Sequence, residues 1–386
     1  MIRGITAGLD QARLSRLMEQ LGREARARRF DVAPNPCVGA AVLAGASEVA
    51  RGFHEFWGGP HAEIVALAAA EAAGVPRERW DLLLVTLEPC SSTGKTPPCT
   101  DAILRAGIRR VVIGALDPDA RHCGKGVELL RAAGIEVYVL DGPARLSDTS
   151  PQFLTWTAPE RLRRPRPWTL AKWAQTRSGQ LSPLEHVGAG RWITGAASLA
   201  EVALLRGRVD AVVTGVVTVL ADDPRLSVRA PGDLGRAPLR VVLDSYLRTP
   251  PDARLLRPAG PDEAAGEVHV LGLTGVSGAR AEALREAGAN VHGLPAGEGE
   301  RRVSLRRVQE WLWSRGARRV LLEAGPTLLR AYLDRGFVDQ VRIYTGPLNG
   351  GRGVSMGDWL AGAHLLHRAD RECGLDSVLE AFPRDL

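Results

Sequence analysis

Aromatic residues make up only 5% of this 386-residue chain, and cysteine occurs five times. Five cysteines in a chain of this length do not suggest the disulfide framework of a small secreted protein. No stretch reaches the roughly 18 uninterrupted apolar residues of a membrane span, and no signal-peptide core is visible near the first residue. We therefore expect a cytoplasmic protein without a membrane partner, in which clustered cysteine and histidine are first considered as metal ligands.

A concentrated basic surface is also missing, although the formal net charge is +6. The arginines are interleaved with acidic residues, and the densest run, "RLRRPRPW" at 161–168, is broken by prolines. We therefore expect no nucleic-acid partner, whereas a mildly basic surface suits a small phosphorylated substrate. With 45% apolar and 24% charged residues, the composition is that of a globular protein, and the length favours two cores.

Strands and helices alternate along the chain in two blocks, which predicts two α/β domains. Residues 1–146 start with a helix from Asp10 to about Arg28 and continue as a three-layered domain. The proline-rich residues 147–166 are predicted to form a linker. Residues 167–386 restart with the strand "WTLAKWAQT" and end with "QVRIYTG" as the last predicted strand. This second domain is expected to be mostly parallel, with an antiparallel C-terminal edge.

One cluster of metal-ligating residues lies between His61 and Cys99. "PHAE" supplies His61 and Glu63, and "LEPCSSTGKTPPC" supplies Cys90 and Cys99. A catalytic zinc uses three protein ligands of the nitrogen and sulfur type and keeps its fourth position for water. His61 is predicted at the start of one helix. Cys99 is predicted in the first turn of the next helix, where the dipole favours its thiolate. His61, Cys90 and Cys99 therefore predict one Zn²⁺ per chain.

The position of Glu63 distinguishes a catalytic zinc site from a structural one. A carboxylate two residues beyond a zinc-ligating histidine can take a proton from water and deliver it to a leaving amine, as in the zinc nucleobase deaminases. A structural staple in an interaction module would instead need a fourth protein ligand. Its candidates are Cys37, Cys123, His54 and His122. The motifs H-x-E at His61 and P-C at Cys90 favour a catalytic site over this structural staple. Deamination of a nucleic acid is a third hypothesis.

Four segments resemble the deaminase half of the bifunctional riboflavin-biosynthesis deaminase/reductase family. They are "PNPCVGA" at 34–40, "GGPHAE" at 58–63, "LEPCSSTGKTPPC" at 87–99 and "DPDARHCGKG" at 117–126. Eight residues separate Cys90 from Cys99, where cytidine and tRNA adenosine deaminases have C-x-x-C. By this resemblance, which covers nearly the whole chain, the longer loop indicates the pyrimidine substrate of riboflavin synthesis.

The resemblance implies a cytidine-deaminase-like three-layer fold and a hydrolytic reaction. The 2-amino group of 2,5-diamino-6-(ribosylamino)pyrimidin-4-one 5'-phosphate would leave, with Glu63 as the catalytic acid and base. Asn35, His54 and Lys95 match family positions that line the substrate pocket. Ser92 and Thr93 stand where the family often has histidine after "PCS".

The second block lacks the Rossmann G-x-G-x-x-G fingerprint. In "EAGPT" at 323–327, a strand turns into a helix and leaves backbone N–H groups beside Gly325 that can cradle a diphosphate. The segment "TVLADDPRLSVR" at 218–229 is predicted to be a polar loop at the carboxyl end of a strand, where α/β sheets bind ligands.

The family resemblance extends to this block through Lys172, "WIT" at 192–194, "TVLADDP" and "EAGPT". It implies a fold similar to dihydrofolate reductase, NADPH as cofactor, and hydride transfer to the opened ribose aldehyde that yields a ribityl chain. Lys172 is the implied catalytic residue. The residues implied to hold NADPH are Ala174, Trp192, Thr218, Asp222, Ser245, Gly325, Pro326 and Thr327. Those implied to hold the ribose phosphate are Arg206, Leu226, Arg229 and Glu323.

The chain departs from the family at "TRSG", residues 176–179, where the usual sequence is S-L-D-G. Ser178 replaces the aspartate, so two hypotheses stay open for the second domain. In the first, the chain deaminates and then reduces its substrate. In the alternative, only deamination survives, and a degenerate reductase-like domain serves assembly or substrate holding. The expected assembly is a homo-oligomer.

Overall fold

The computed structural model describes most of the chain. The described residues are 9–92, 97–119, 122–140, 166–182, 193–229, 237–276 and 278–383. The chain divides into two compact units, Met1–Arg164 and Pro165–Leu386. Almost all of the predicted linker falls outside the described residues, so the exact domain limits stay predictions. Within the described ranges, no helix has the length and apolar character to cross a bilayer.

The first unit contains one five-stranded sheet with the order β2-β1-β3-β4-β5. Its strands are β1 (Gly39–Ala44), β2 (Ser47–Phe53), β3 (Leu82–Val85), β4 (Arg110–Ile113) and β5 (Glu136–Val139). β1 is antiparallel to β2 and β3, whereas β3, β4 and β5 are parallel. The helices are α1 (Gln11–Arg26), α2 (Arg29–Val32), α3 (Ala62–Ala72), α4 (Cys99–Arg105) and α5 (Lys125–Ala132).

Helices cover both faces of this sheet because its strands alternate side chains between two apolar clusters. On β1, Val42 packs with buried residues of α3, α4 and α5, while Leu43 packs with buried residues of α1. The α1 helix begins after Asp10, whose carboxylate accepts the N–H of Arg13 at 2.7 Å and caps the helix. The predicted three-layered fold is confirmed.

The second unit is built on a nine-stranded sheet with the order β13-β12-β10-β8-β14-β6-β15-β18-β17. Its strands are β6 (Trp168–Gln175), β8 (Ala211–Gly215), β10 (Leu239–Leu243), β12 (Val268–Leu273), β13 (Asn290–Leu294), β14 (Arg319–Glu323), β15 (Gln340–Thr345), β17 (Leu366–Cys373) and β18 (Asp376–Phe382). Four short strands form two further pairs: β7 (Gln180–Ser182) with β16 (Arg352–Ser355), and β9 (Val228–Arg229) with β11 (Glu263–Ala264). From β13 to β15 all neighbours are parallel.

Helices also cover both faces of the larger sheet. They are α6 (Ala196–Gly207), α7 (Val216–Asp222), α8 (Gly278–Glu286), α9 (Leu305–Ser314), α10 (Pro326–Asp334) and α11 (Gly357–Gly362). Val213 of β8 packs in the cluster that holds residues of α9 and α10. Its neighbour Val212 packs against Leu205 of α6 on the opposite face. This arrangement buries the parallel strands on both sides, as parallel sheets require.

Two sequence predictions for this unit are wrong. "QVRIYTG" forms β15, but it is not the last strand, because β17 and β18 follow it and form the antiparallel edge that was expected. The segment after β8 is not a loop throughout, because Val216–Asp222 forms the short helix α7. Val216 and Val219, three residues apart, are buried in one apolar cluster, and this helical spacing outweighs the polar residues that follow.

Candidate functional site

The three predicted zinc ligands converge in the first unit. His61 immediately precedes α3, Cys99 is the first residue of α4, and Cys90 lies between β3 and α4. The Nδ1 atom of His61 lies 3.6 Å from the Sγ atom of Cys90 and 3.2 Å from that of Cys99. All three ligand atoms lie within 4.8 Å of one another. Ligand atoms on a tetrahedral zinc lie roughly 3.5 Å apart, so donor set and spacing fit zinc.

The two thiols are electrostatically unequal. The thiol of Cys99 donates a hydrogen bond to Cys90, which lowers the pKa of Cys90 to about 4, with smaller contributions from His61 and the Cys99 backbone N–H. The same contact, together with burial, raises the pKa of Cys99. Cys90 is therefore favoured as a thiolate, while Cys99 keeps a proton that a divalent cation would displace on binding.

Glu63 lies beside the ligands, in the first turn of α3, with 3% of its surface exposed. Burial raises the pKa of its carboxyl group, and the charge of His61 offsets part of that effect. The carboxyl group is also hydrogen-bonded to the side chain of Cys99. A carboxyl group with a raised pKa is suited to proton exchange near neutral pH.

His54 lies beside His61, and Asn35 contacts His54. The His54 ring lies edge-on to the His61 ring, with 5.5 Å between the ring centroids. The Nδ1 atom of His54 lies 2.9 Å from the carbonyl oxygen of Pro60, and its Nε2 atom lies 3.1 Å from the Asn35 amide nitrogen. A carbonyl oxygen only accepts, so Nδ1 carries the proton, and Nε2 accepts from the Asn35 amide. These bonds hold both side chains in one orientation beside the predicted metal.

A fourth protein ligand is not found among the described residues, where His61, Cys90 and Cys99 form the one convergent group of potential metal ligands. Cys37 is buried in the apolar cluster beneath α1, and Cys123 is exposed. Lys95 lies outside the described residues, as does Thr93, whereas Ser92 is described and exposed. The described part of the site therefore has the three-ligand form of a catalytic centre.

Glu88 is a buried residue that the sequence interpretation missed, although it belongs to the "LEPC" motif. Its carboxylate accepts four backbone N–H groups, from Asp117, Gly124, Gly126 and Val127, at 2.8 to 3.2 Å. Two of these groups belong to the first turn of α5, whose dipole also favours a negative charge. Gly126 has no room for a side chain, since an added Cβ would lie 2.2 Å from the Pro89 carbonyl oxygen. Glu88 therefore ties the start of α5 to the segment that carries Cys90.

In the second unit, predicted cofactor residues follow the carboxyl ends of neighbouring parallel strands. Ser245 follows β10, Thr218 lies in α7 after β8, and Gly325 follows β14, while Lys172 and Ala174 lie in β6. These four strands are adjacent in the sheet. The structure therefore brings the residues to one edge of the sheet, where ligands of open α/β sheets bind.

The start of α10 suits a diphosphate. Gly325 is the residue before this nine-residue helix, Pro326 is its first residue, and Thr327 is exposed. The Gly325 N–H donates to the Thr218 hydroxyl at 3.1 Å. A Cβ added at Gly325 would have only that hydroxyl within 4 Å, so the approach to the helix is open. A helix N-terminus with an open approach fits the phosphates of a dinucleotide.

Lys172, Arg206 and Glu323 meet on the α6 side of the sheet. The Nε and Nη2 atoms of Arg206 donate to the two carboxylate oxygens of Glu323 at 2.6 and 2.9 Å. The Lys172 ammonium lies 3.9 Å from the same carboxylate. Burial raises the pKa of Glu323, but Arg206 and Lys172 outweigh it and hold the pKa below its ordinary value. Burial lowers the pKa of Lys172, which Glu323 opposes.

Other predicted reductase residues have mixed surroundings. Leu226 is 2% exposed and packs in the core cluster with Leu205, so only its backbone is available to a ligand. The Ser245 hydroxyl accepts the N–H of Val303 at 3.0 Å, and Ala174 packs beside Val202. Asp222 is exposed at the end of α7. Trp192 and the side chain of Arg229 lie outside what the structure describes.

The departure at Ser178 leaves a well-bonded turn. The Ser178 hydroxyl accepts the N–H of Gly350 at 2.8 Å, and its carbonyl oxygen accepts the Ser355 hydroxyl at 3.0 Å. The carbonyl oxygen of Gly179 accepts the N–H of Met356 at 2.9 Å. Gly179 has a φ of 84° and no space for a side chain, because an added Cβ would lie 2.6 Å from Ser355. Serine therefore supports an ordered connection to the 350–357 segment.

Two protein families match the two units. Residues 12–115 match the cytidine and deoxycytidylate deaminase zinc-binding region. Residues 167–359 match the RibD C-terminal domain. The first match implies Zn²⁺, in agreement with the three converging ligands, and the reductase domain implies NADPH.

Relatives and solved structures match almost the whole chain. The riboflavin biosynthesis protein RibD of Aquifex aeolicus is 37% identical over 335 residues, which cover 86% of this chain and 87% of that protein. The structure of Acinetobacter baumannii RibD has a TM-score of 0.65 at 27% identity and covers 97% of this chain and 100% of that one. A Thermotoga maritima structure, described as a diaminohydroxyphosphoribosylaminopyrimidine deaminase/5-amino-6-(5-phosphoribosylamino)uracil reductase, has a TM-score of 0.61 at 28% identity and covers 96% and 99%. The chain belongs to the RibD family of bifunctional riboflavin biosynthesis enzymes, with a deaminase domain followed by a reductase domain.

Proposed function

We propose that the first unit hydrolyses the 2-amino group of 2,5-diamino-6-(ribosylamino)pyrimidin-4-one 5'-phosphate and that the second unit then reduces the ribosyl group with NADPH. The observation that carries the proposal is the convergent cluster of His61, Cys90 and Cys99 with the buried Glu63 beside it. Two relatives support the substrate: the RibD of Aquifex aeolicus, described as a riboflavin biosynthesis protein, and the Thermotoga maritima deaminase/reductase.

In the first reaction, His61, Cys90 and Cys99 would hold zinc, which when bound supplies Lewis-acid activation of water. Glu63 takes a proton from the attacking water and passes it to the amine that leaves as ammonia. Its burial keeps the carboxyl group able to carry that proton. Asn35 and His54 line the pocket, and their mutual hydrogen bond presents a fixed polar wall to the pyrimidine ring. Lys95 remains a predicted substrate contact.

In the second reaction, NADPH supplies a hydride. After the ribose ring has opened, reduction would place one new C–H bond on the first ribose carbon and one proton on the heteroatom that was doubly bonded to this carbon. Lys172, which pairs in register with Glu323 at the carboxyl end of β14, is the residue that would deliver that proton. Backbone groups at Gly325, with Thr218 beside them, face the position proposed for the cofactor phosphates.

The test uses the purified full-length chain and the diaminopyrimidinone ribosyl phosphate, with and without NADPH. We expect ammonia release in both samples and NADPH oxidation only after deamination. Removal of zinc with a chelator should stop ammonia release, while reduction of the already deaminated substrate continues. Ammonia release without any NADPH oxidation would instead support the deaminase-only hypothesis and overturn the two-step proposal.

Two other expectations remain predictions. The chain is expected to reside in the cytoplasm and to assemble with copies of itself. Mass photometry of the purified full chain tests the second, and a single peak at the 41.4 kDa of one chain would contradict it.

A further inference from the structure

Arg240 is a buried arginine of β10 that joins three segments of the second unit. It is 7% exposed, and among the described residues its guanidinium donates only to backbone carbonyl groups. Its Nη1 atom lies 3.2 Å from the Arg225 carbonyl oxygen and 2.5 Å from that of Leu255. Its Nε atom lies 2.9 Å from the carbonyl oxygen of Gly266. One side chain therefore fastens together loops that are far apart in the sequence.

The charge of Arg240 makes these three hydrogen bonds hard to give up. Burial and the neighbouring Arg225 lower the pKa of Arg240, while Glu263 opposes them. The carboxylate of Glu263 acts from a distance, because it is bonded to the side chain of Arg225 at 3.2 Å. A buried charge is costly unless it is hydrogen-bonded, and bonds from a charged donor are stronger than those from a neutral one. The guanidinium therefore holds its three carbonyl groups firmly.

The bond to Arg225 fixes the orientation of the peptide group between Arg225 and Leu226. In a trans peptide group the C=O and the N–H point in opposite directions. Because the Arg225 carbonyl oxygen points at Arg240, the N–H of Leu226 points away from it. In the described part of the chain this N–H donates to no acceptor. The side chain of Leu226 packs in the core, so the N–H is a donor that this residue can offer to a ligand.

The backbone around Leu226 needs such support. Leu226 has a φ of 54° and Asp223 a φ of 41°, both in the left-handed region. Residues other than glycine rarely adopt this conformation and keep it where the surroundings hold them. The carboxylate of Asp223 accepts the N–H of Arg254 at 2.8 Å. Arg240 is the corresponding anchor beside Leu226, and it is bonded to the same 3₁₀-helical turn, Arg254–Leu256.

We propose that Arg240 is a positioning residue of the reductase, which aims the N–H of Leu226 at the ribose phosphate of the substrate. The assignment rests on the proposed reduction and on the family resemblance that implies a ribose-phosphate contact at Leu226. Arg240 acts through the loop of residues 223–229 and makes no contact with the substrate itself. Without its guanidinium this peptide group can rotate, and part of the binding free energy of the substrate is then lost in fixing it.

Steady-state kinetics of the full chain with NADPH and the deaminated substrate test the assignment. In Arg240→Gln the KM for the deaminated substrate should rise by about tenfold or more, because a hydrogen bond to a charged phosphate is lost. The KM for NADPH should stay within about twofold, and ammonia release by the first unit should not change. A purely structural residue would instead lower kcat through a smaller folded fraction and leave both KM values as they are. That result would overturn the assignment.

Arg318→Gln is the matched control. Arg318 is half-buried in the same unit and donates to the backbone carbonyl oxygens of Trp313 and Ala317, which lie outside residues 223–229. An equal rise in KM in both glutamine variants would assign the effect to general loosening of the unit and reject the assignment. Arg240→Lys keeps a charge but reaches fewer of the carbonyl groups, so an intermediate KM is expected. If Arg240→Gln does not fold, Arg240→Lys decides, and an unchanged KM rejects the assignment.

Hydrogen exchange measures binding at the loop without turnover. In the unaltered chain with NADP⁺, the deaminated substrate should slow exchange of residues 223–229. The substrate concentration that gives half of the maximal slowing should rise by about tenfold or more in Arg240→Gln. An equal concentration in both chains, or no slowing in the unaltered chain, would overturn the assignment. If the loop is slowed but NADPH is not oxidised, the proposed reduction fails, while this concentration still decides the role of Arg240.

Discussion

The two units organise their chemically active groups in opposite ways. In the first, the predicted zinc ligands and Glu63 come from two short segments, and the three ligand atoms lie within 4.8 Å of one another. In the second, Arg206 and Glu323 are 117 positions apart in the sequence, and Lys172 comes from a third element. The first site assembles donors that a cation would join, whereas the second assembles charges that largely neutralise one another.

This difference follows from what each reaction requires of the protein. Hydrolysis needs a metal and an acid-base group at a fixed separation, and the start of one helix sets the separation of His61 and Glu63. Hydride transfer takes its reactivity from the cofactor, so the protein supplies orientation and one proton. A parallel sheet suits that task because it places residues from distant segments side by side on neighbouring strands. The three predictions below test whether the two sites are separable in this way.

The largest effect is expected for Glu63→Gln. Glutamine keeps the size of the side chain but cannot carry the proton, so ammonia release should fall by about 100- to 10,000-fold. Reduction of the deaminated substrate should stay within about twofold of the unaltered chain. Glu71→Gln, on the exposed side of the same helix, is the control and should change neither rate. Equal loss of both activities in Glu63→Gln would contradict separable sites.

A smaller effect is expected for Glu88→Gln. The amide would place an N–H₂ group against backbone N–H donors that now point at the carboxylate, at a cost of about 2 kcal/mol in the first unit. Hydrogen exchange of the full chain should increase across Lys125–Ala132 and leave the second unit unchanged. Glu128→Gln, an exposed residue of the same helix, is the matched control. Protection that matches the control would show that Glu88 does not tie α5 down.

The smallest effect concerns acid sensitivity of the second unit. His269 of β12 and His292 of β13 lie 3.0 Å apart at facing ring nitrogens and pack against Trp311. Burial lowers the pKa of both rings; Arg315 faces both and Arg285 faces His292, while Glu267 opposes the shift at His269. In the folded chain the pKa of each ring lies below the unfolded value of 6.5. As the pH falls below 6.5, the unfolded chain therefore binds protons before the folded chain does, and the free energy of unfolding declines.

Hydrogen exchange checks this expectation in the intact chain. Exchange of Asn290–Leu294, after correction for intrinsic rates, should accelerate a few-fold between neutral pH and pH 5. The acceleration should be weaker in His292→Gln, which cannot gain the second charge. The strand Glu136–Val139 of the first unit contains no histidine and serves as the reference. An equal acceleration of exchange in this strand would assign the effect to general acid unfolding instead.

The sequence predicted the first site better than the second because its information is local. The zinc ligands and Glu63 stand in two motifs with fixed spacing, and Asn35 and His54 were expected beside them. Glu88 stands in the same motif, yet its partners lie in a loop and in the first turn of α5, and only the fold brings these to it.

In the second unit, the order of strands in the sheet is what places Lys172 between Glu323 and Arg342. The hydrophobic pattern of one segment does not reveal which strands are neighbours in the sheet. The sequence therefore did not predict that Arg342 and Glu380 lie on the strands beside Lys172. The two wrong predictions have a similar cause. A short apolar spacing formed α7 within a polar segment, and β18 pairs with β15 across a long connection.

The loop between Cys90 and Cys99 has one further consequence. Its ends are fastened to each other, because the Cys90 carbonyl oxygen accepts the N–H of Thr100 at 3.2 Å and the Cys90 sulfur accepts the N–H of Cys99 at 3.3 Å. Closing a flexible loop costs only about 0.6 kcal/mol more for each doubling of its length. We therefore expect a change in the number of residues between Cys90 and Cys99 to cost little stability, and the hydrogen bonds at the base of the loop should keep the predicted ligands in place.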